Sequence, residues 1–309
     1  MAGIETIITL FLLIGLGYIG RRTVLAGQPL AAVNTFVFYF AVPALLFSSA
    51  YKLPLESLFQ PYYLGAFLLA AVLTAVITVV GSTLFFSNRD KEVMVIRALN
   101  GTFANYAYMG IPLIAGLLGD AAYGAMISII LAGNLFLIGG AQLLIESLRK
   151  ESGGLKTYWS ILDKSLLRNP IFLSTTLGVA ASALAIQLPD TVNTALALLA
   201  PAAVPVALFC LGASLEFRAI KDSKIELLWL IAVKLIIHPL LTLAVFTFAG
   251  IDDRNWLLAA VMLTALPTGA LAHVVATRYQ VCEKETSLSV VLSTLISVVT
   301  VSVWAALLI

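Results

Sequence analysis

The sequence predicts an all-α polytopic membrane protein: ten transmembrane helices in two inverted five-helix repeats, with interrupted helices 4 and 9 crossing. Three observations carry this. Of 309 residues, 61% are hydrophobic and 11% are charged, with a mean hydropathy of +1.03, whereas soluble domains carry about 25% charged residues. Apolar runs of the length a bilayer requires, about 20 residues, recur ten times. A short motif also returns at the same place in each half.

The runs, in order, are 4–20, 30–50, 62–87, 93–118, 121–145, 170–187, 192–216, 225–249, 255–277 and 285–309. The first is not a cleavable signal, because its basic residues, Arg21 and Arg22, follow the apolar stretch. Only Gly119-Asp120 separates the fourth run from the fifth. The polar stretch 149–168 divides the chain into a first repeat, 1–148, and a second, 169–309.

Basic residues give the orientation, since Lys and Arg accumulate on the cytoplasmic side. One set of alternating loops holds 15 of the 18: Arg21, Arg22, Arg89, Lys91, Arg97, Arg149, Lys150, Lys156, Lys164, Arg168, Arg218, Lys221, Lys224, Arg278 and Lys284. The other set holds Lys52 and Arg254, and Lys234 lies inside a span. Both termini are therefore expected outside and 149–168 in the cytoplasm, in a cell (inner) membrane.

Five spans per half reverse the entry side, so related halves must be inverted. Ala41-Val-Pro-Ala-Leu-Leu-Phe47 in span 2 matches Ala203-Val-Pro-Val-Ala-Leu-Phe209 in span 7 at five of seven positions. Spans 4 and 9 correspond in the same way. The fourth contains Gly101-Thr-Phe-Ala-Asn105-Tyr-Ala-Tyr-Met-Gly110-Ile111-Pro112, the ninth Thr264-Ala-Leu266-Pro267-Thr268-Gly269. Proline removes a helix donor and glycine eases unwinding. Matching Gly/Pro interruptions in two halves point to a binding site at mid-membrane. Half-helix N-termini there would offer N–H groups and positive partial charge to an anion. Asn105 and Thr268 would add neutral hydrogen bonds, so a carboxylate is the favoured guest.

The segment from Asn105 through Met109-Gly-Ile-Pro112 to Ile114 resembles the N-x-x-x-M-G-I-P-L element of the auxin efflux carrier family. That family includes plant PIN proteins and bacterial carboxylate permeases, within the bile acid, arsenite and riboflavin transporter superfamily. Ala265-Leu-Pro267-x-Gly269, followed by Ala276-x-x-Tyr279, is similar to its ninth-span signature. The resemblance implies a fold like that of sodium/proton antiporters and bile acid symporters. Helices 1, 2, 6 and 7 would form a scaffold, and 3–5 and 8–10 a transport domain moving as an elevator. It implies that Asn105 contacts the substrate carboxylate and that the chain forms a homodimer. The plant members' Asp/Lys pair in span 3 has no counterpart, since 62–86 is free of charge.

Several polar residues also lie inside spans. Lys234 lies about 12 Å beyond Glu226 along a helix, where a charge costs at least ~2.5–3.5 kcal/mol. Three readings stay open: snorkelling to the surface, binding carbonyl ends of the broken helices in place of a cation, or membership of a proton or substrate site. His238 shares its face at i+4, and with His273 it is either a hydrogen-bonded core residue or a group titrating near neutrality. Ser48 and Cys210 align under the repeat and are expected along the substrate path. Asn134 and Gln142 suit hydrogen bonds between helices.

The leading expectation is a secondary carrier of a small organic anion such as malate, malonate, lactate or an indole acid, with lipid as the surrounding solvent and the coupling ion left open between protons, sodium and none. The alternative is a cation/proton antiporter on the same fold, weakened because spans 3, 4, 5, 8 and 9 hold no central Asp or Glu. A membrane sensor is disfavoured by the short loops. No nucleophile triad, metal cluster, phosphate loop or cofactor motif is visible, so neither an enzyme nor a nucleic-acid binder is expected. Cys210 and Cys282 give no metal or disulfide spacing.

Overall fold

The structure is a computed structural model that describes residues 2–27, 30–52, 60–149, 170–214 and 224–309. Most of the linker expected at 149–168 lies outside these residues, as do the loop bases Lys150, Lys156, Lys164, Arg168, Arg218 and Lys221. Among the described residues every regular element is a helix: α1 (Ala2–Arg22), α2 (Ala31–Lys52), α3 (Pro61–Phe85), α4 (Lys91–Thr102), α5 (Tyr106–Leu117) and α6 (Asp120–Leu148). After the linker come α7 (Pro170–Ala183), α8 (Asp190–Ser214), α9 (Ile225–Phe248), α10 (Arg254–Thr264), α11 (Ala270–Tyr279) and α12 (Glu283–Leu308).

Helices α2, α3, α6, α8, α9 and α12 are long and apolar enough to cross a bilayer. Their outward faces are apolar: Phe248 is 92% exposed and Leu198 77%. Such side chains on a soluble protein would oppose folding; against lipid tails they cost nothing. The fourth and ninth apolar runs are each divided, into α4 and α5 and into α10 and α11. Each first segment starts on an aspartate cap. Asp90 accepts from the N–H of Glu92 at 3.1 Å, and Asp253 from Asn255 and Trp256 at 2.9 and 3.1 Å.

Sequence chemistry also sets the helix irregularities. Widened π-type turns at Val37–Ala41, Tyr106–Gly110 and Val233–Ile237 precede Pro43, Pro112 and Pro239. A proline lacks the N–H for the previous turn and its ring crowds that turn's carbonyl. Opening the turn relieves both, so the helix continues through the proline. The sharp reversal between α5 and α6 uses Gly119 at φ +65°, a conformation glycine adopts freely.

Two helix pairs form one side of the molecule. Helix α1 packs along α8, and α2 along α7. The contacts are close because glycines face backbone: a Cβ on Gly178 would lie 2.6 Å from the Phe47 carbonyl oxygen, and one on Gly17 would collide with the carbonyl oxygen of Phe209. Phe47 and Phe209 are the last residues of the repeated motif. Helices α3, α4, α6, α9, α10, α11 and α12 pack together on the other side, and the two sides meet where α5 reaches α1 and α8, α12 reaches α1 and α6 reaches α2.

Candidate functional site

The two interruptions meet. Chain leaves the helical conformation at Phe103 and again after Ala265, and Ala104 and Thr268 pair as an isolated antiparallel bridge. The Asn105 N–H donates to the Pro267 carbonyl at 2.9 Å, and the Gly269 N–H to the Phe103 carbonyl at 3.0 Å. Each broken segment thus supplies hydrogen-bond partners that the other lost, which is what makes irregular backbone tolerable in an apolar interior. The Thr268 N–H goes to Ser293 Oγ at 3.1 Å and its hydroxyl to the Asn100 carbonyl at 3.0 Å. Gly269 is required here, because a Cβ would sit 2.6 Å from the Ala104 carbonyl oxygen.

In the second half the break coincides with Pro267. In the first half it lies at Phe103–Asn105, upstream of Pro112. Pro112 sits in the first turn of the regular α5 segment that succeeds the widened turn. Asn105 therefore becomes the residue just before α5, and its carbonyl accepts from both Met109 and Gly110 at 3.1 and 3.0 Å.

A cavity of about 220 Å³ opens at this junction, smaller than the roughly 300–1,000 Å³ of drug-sized pockets. Its polar lining is Asn105, Tyr106, Tyr108 and Asn134; Phe38, Phe103, Ile171, Leu271 and Val274 form apolar walls. The first residues of α5 (Ala107, Tyr108) and of α11 (Ala270, Leu271) also line it. Neither helix start carries a side-chain cap, so each presents a positive dipole end. Asn105 is 3% exposed, yet its Nδ2 has no hydrogen-bond partner, and neither has the Tyr106 hydroxyl. A buried donor left open costs about 1–3 kcal/mol, and two such donors lie at this one cavity.

Of the residues the sequence singles out, Asn105 and Gly269 line this cavity. Gly110, Ile111, Pro112, Leu266, Pro267 and Thr268 are buried around it and shape the junction without lining it. Gly110 admits Leu263, which would lie 2.7 Å from an added Cβ. Ser48 lines a separate cavity of about 690 Å³ with Lys52, Asp120, Tyr123 and Asn193, toward the other end of α2. Cys210 is buried in α8 and lines neither. Cys210 nevertheless interacts electrostatically with Tyr108 of the junction lining, whereas Ser48 belongs to the second cavity. Half-buried His273, with an unpartnered Nδ1, lies in α11 off the cavity lining.

Sequence reasoning misses Tyr106, Tyr108 and Asn134 as lining residues. The two tyrosines stand inside the motif that begins at Asn105. Asn134 comes after Gly133, where an added Cβ would be 2.6 Å from the Tyr106 ring; a mid-span amide beside glycine is the available signal.

Lys234 is fully buried. Its Nζ donates to the Thr264 carbonyl at 2.5 Å and lies 3.3 Å from His238 Nδ1. Near the ends of α4 and α9, Arg97 pairs with Glu226 at 2.7 Å and donates to the Asn88 carbonyl at 2.8 Å. Arg149 reaches Glu92 at 2.7 Å and the Tyr279 carbonyl at 2.7 Å, while the Tyr279 hydroxyl donates to Glu146 at 2.8 Å. These bonds tie α4, α6, α9 and α11 together at one end. Among the described residues no group of three His, Cys, Asp or Glu could hold a metal ion.

The sequence is similar to known proteins along its whole length. The family model described as "Membrane transport protein" matches residues 2–305. The chain is 30% identical over 302 residues to "Putative malonate transporter" of Rhizobium meliloti (strain 1021), covering 96% of this chain and 92% of that one. It is 25% identical over 320 residues to "Uncharacterized transporter" of Methanothermobacter thermautotrophicus, covering 100% and 99%. It is also 25% identical over 299 residues to "Uncharacterized transporter YfdV" of Escherichia coli (strain K12), covering 94% and 92%.

Proposed function

The chain belongs to the membrane transport protein family, that of the auxin efflux carriers, and from that premise we propose that it is a secondary carrier of a small carboxylate. The anion is held where the two broken helices meet, and alternating access comes from an elevator-like movement of helices α3–α6 and α9–α12 against α1, α2, α7 and α8. One observation carries this: the open Nδ2 donor of Asn105, buried at a cavity onto which two uncapped helix starts converge. The donors there are neutral, and the only charge they favour is negative.

The reading places ten spans in two inverted repeats in a cell membrane, with both termini outside, and two copies of the chain paired through the scaffold. The matching Gly178–Phe47 and Gly17–Phe209 contacts support the inversion, since equivalent motif residues meet a glycine of the partner helix in each half. The name of the Rhizobium meliloti relative makes malonate the first substrate to try. Protons are the proposed coupling ion.

Uptake of labelled malonate, malate, lactate and indole-3-acetate into proteoliposomes tests the reading. Accumulation of at least one acid, driven by an inward proton gradient, is expected. Absence of uptake for every carboxylate in the panel overturns the substrate class, and strict dependence on sodium overturns proton coupling.

A further inference from the structure

We propose that the Lys234 ammonium is a built-in cation: it holds, permanently, the position at the broken end of α10 that a dissociable monovalent cation would otherwise have to fill. The proposal rests on the carrier reading only for its transport readout.

The need for positive charge arises from the backbone. A helix ends with carbonyls that lack partners and with the negative pole of its dipole. In α10 the residues just past its end aggravate this. Pro267 has no N–H to offer Leu263, the Thr268 N–H is diverted to Ser293, and the Gly269 N–H is diverted to Phe103. Water could solvate these carbonyls at a surface, but Thr264, Ala265 and Leu266 are fully buried. Half-helix C-termini at mid-membrane are where carriers bind coupling cations. Here Lys234 Nζ reaches the Thr264 carbonyl instead.

The geometry excludes the snorkelling alternative, since Nζ is engaged at the junction and the residue has no exposed surface. It also explains why the charge is tolerated with no carboxylate beside it. Among the described residues the ion pairs are Arg97–Glu226 and Arg149–Glu92, and neither includes Lys234. Its second partner is His238 Nδ1. With Lys234 as the proposed ammonium, which only donates, Nδ1 is the acceptor and the imidazole is neutral. The other end of the junction is treated differently: the last carbonyls of α4 receive the neutral Thr268 hydroxyl at Asn100. The ammonium is thus bonded to the end of α10 and not to that of α4.

Local structure aims the side chain. Lys234 lies in the widened turn Val233–Ile237 that Pro239 imposes, and Trp304 Nε1 of α12 donates to the Leu235 carbonyl in that turn at 3.1 Å. Val233 packs against Gly101 of α4, 3.0 Å from where a Cβ would be. The turn is thereby fixed against two neighbouring helices.

The test has a readout that needs no substrate. Thermal unfolding of the purified wild-type protein should be the same in sodium, potassium and choline chloride, and so should malonate uptake. Lys234→Ala should unfold at a lower temperature in choline chloride, recover most of that loss in methylammonium or sodium chloride, and show uptake reduced at least ten-fold unless such a cation is present. Lys234→Met, which keeps the apolar stem and removes the charge, should lose uptake as well. Wild-type unfolding or uptake that requires sodium would overturn the proposal, and so would wild-type behaviour of Lys234→Met. If neither variant folds, the wild-type salt comparison still decides. A protein that transports no carboxylate but shows this unfolding pattern would retain the built-in cation and lose only the substrate reading.

Discussion

The main-chain N–H of Asn105 donates to the carbonyl of Pro267 across 2.9 Å, so the candidate site is closed by the backbone of two segments far apart in sequence. The Asn105 side chain is left over from that closure. Its carbonyl and N–H serve the fold, while its amide nitrogen points at nothing.

Asn105→Ala should therefore separate function from stability. The backbone bond to Pro267 survives, and an open buried donor is removed, so the unfolding temperature should change by no more than a few degrees. Uptake should fall at least ten-fold, about 1.4 kcal/mol or more of lost binding. Paired uptake and unfolding measurements check this; unchanged uptake removes Asn105 from the site.

Gly178→Ala and Gly17→Ala should both destabilise, because each new Cβ meets backbone that cannot step aside. Overpacking of this kind costs roughly 1–3 kcal/mol. Gly15→Ala, with open space around it, is the control and should be neutral. Unfolding in detergent measures all three.

Arg97→Ala strands buried Glu226, and losing one member of a buried pair costs about 3–5 kcal/mol. Removing both side chains should cost less than the sum of the single losses. A double-mutant cycle on unfolding free energies checks the coupling; strict additivity would mean that the pair contributes nothing.

Cys282, between α11 and α12, has its thiol pushed up to about 12, by burial first and then by the carboxylates of Glu285 and Glu226. The thiolate is the reactive form, so alkylation should keep accelerating about ten-fold per pH unit well beyond pH 9. Stability carries the matching sign. A thiol harder to ionise in the folded state stabilises below pH 9, and that contribution is lost as pH rises from about 9 toward 12. Mass-spectrometric labelling rates against pH test this; a plateau near pH 9 would contradict it.

Much of the fold was legible because membrane chemistry writes it plainly. Apolar runs and basic loops need no tertiary information, and the helices begin and end within a few residues of the runs. The breaks were harder. Pro267 marks one directly, whereas in the interrupted segment 101–112 the break falls at the upstream end and not at Pro112, since a widened turn lets a helix pass through proline. The true break at Phe103–Asn105 depends on hydrogen bonds supplied by Pro267 and Gly269, and no local pattern announces a partner more than a hundred residues away. Asn105 was readable from the motif. Asn134 was not, because its place depends on which way α6 faces, and Tyr106 of α5 becomes a lining residue by packing against Gly133 of that helix. Ser48 and Cys210 align in sequence, yet Ser48 lines one cavity while Cys210 lies beside Tyr108 of the other.

The covalent attachment of Lys234 has a thermodynamic consequence. A dissociable ion occupies its site according to its concentration, and every arrival or departure can be linked to a gradient. A side chain has no such chemical potential. In its proposed role it keeps the end of α10 neutralised in any medium, and for the same reason no gradient can perform work through that position. On the proposed reading, uphill movement draws its energy from a solute that enters and leaves somewhere else.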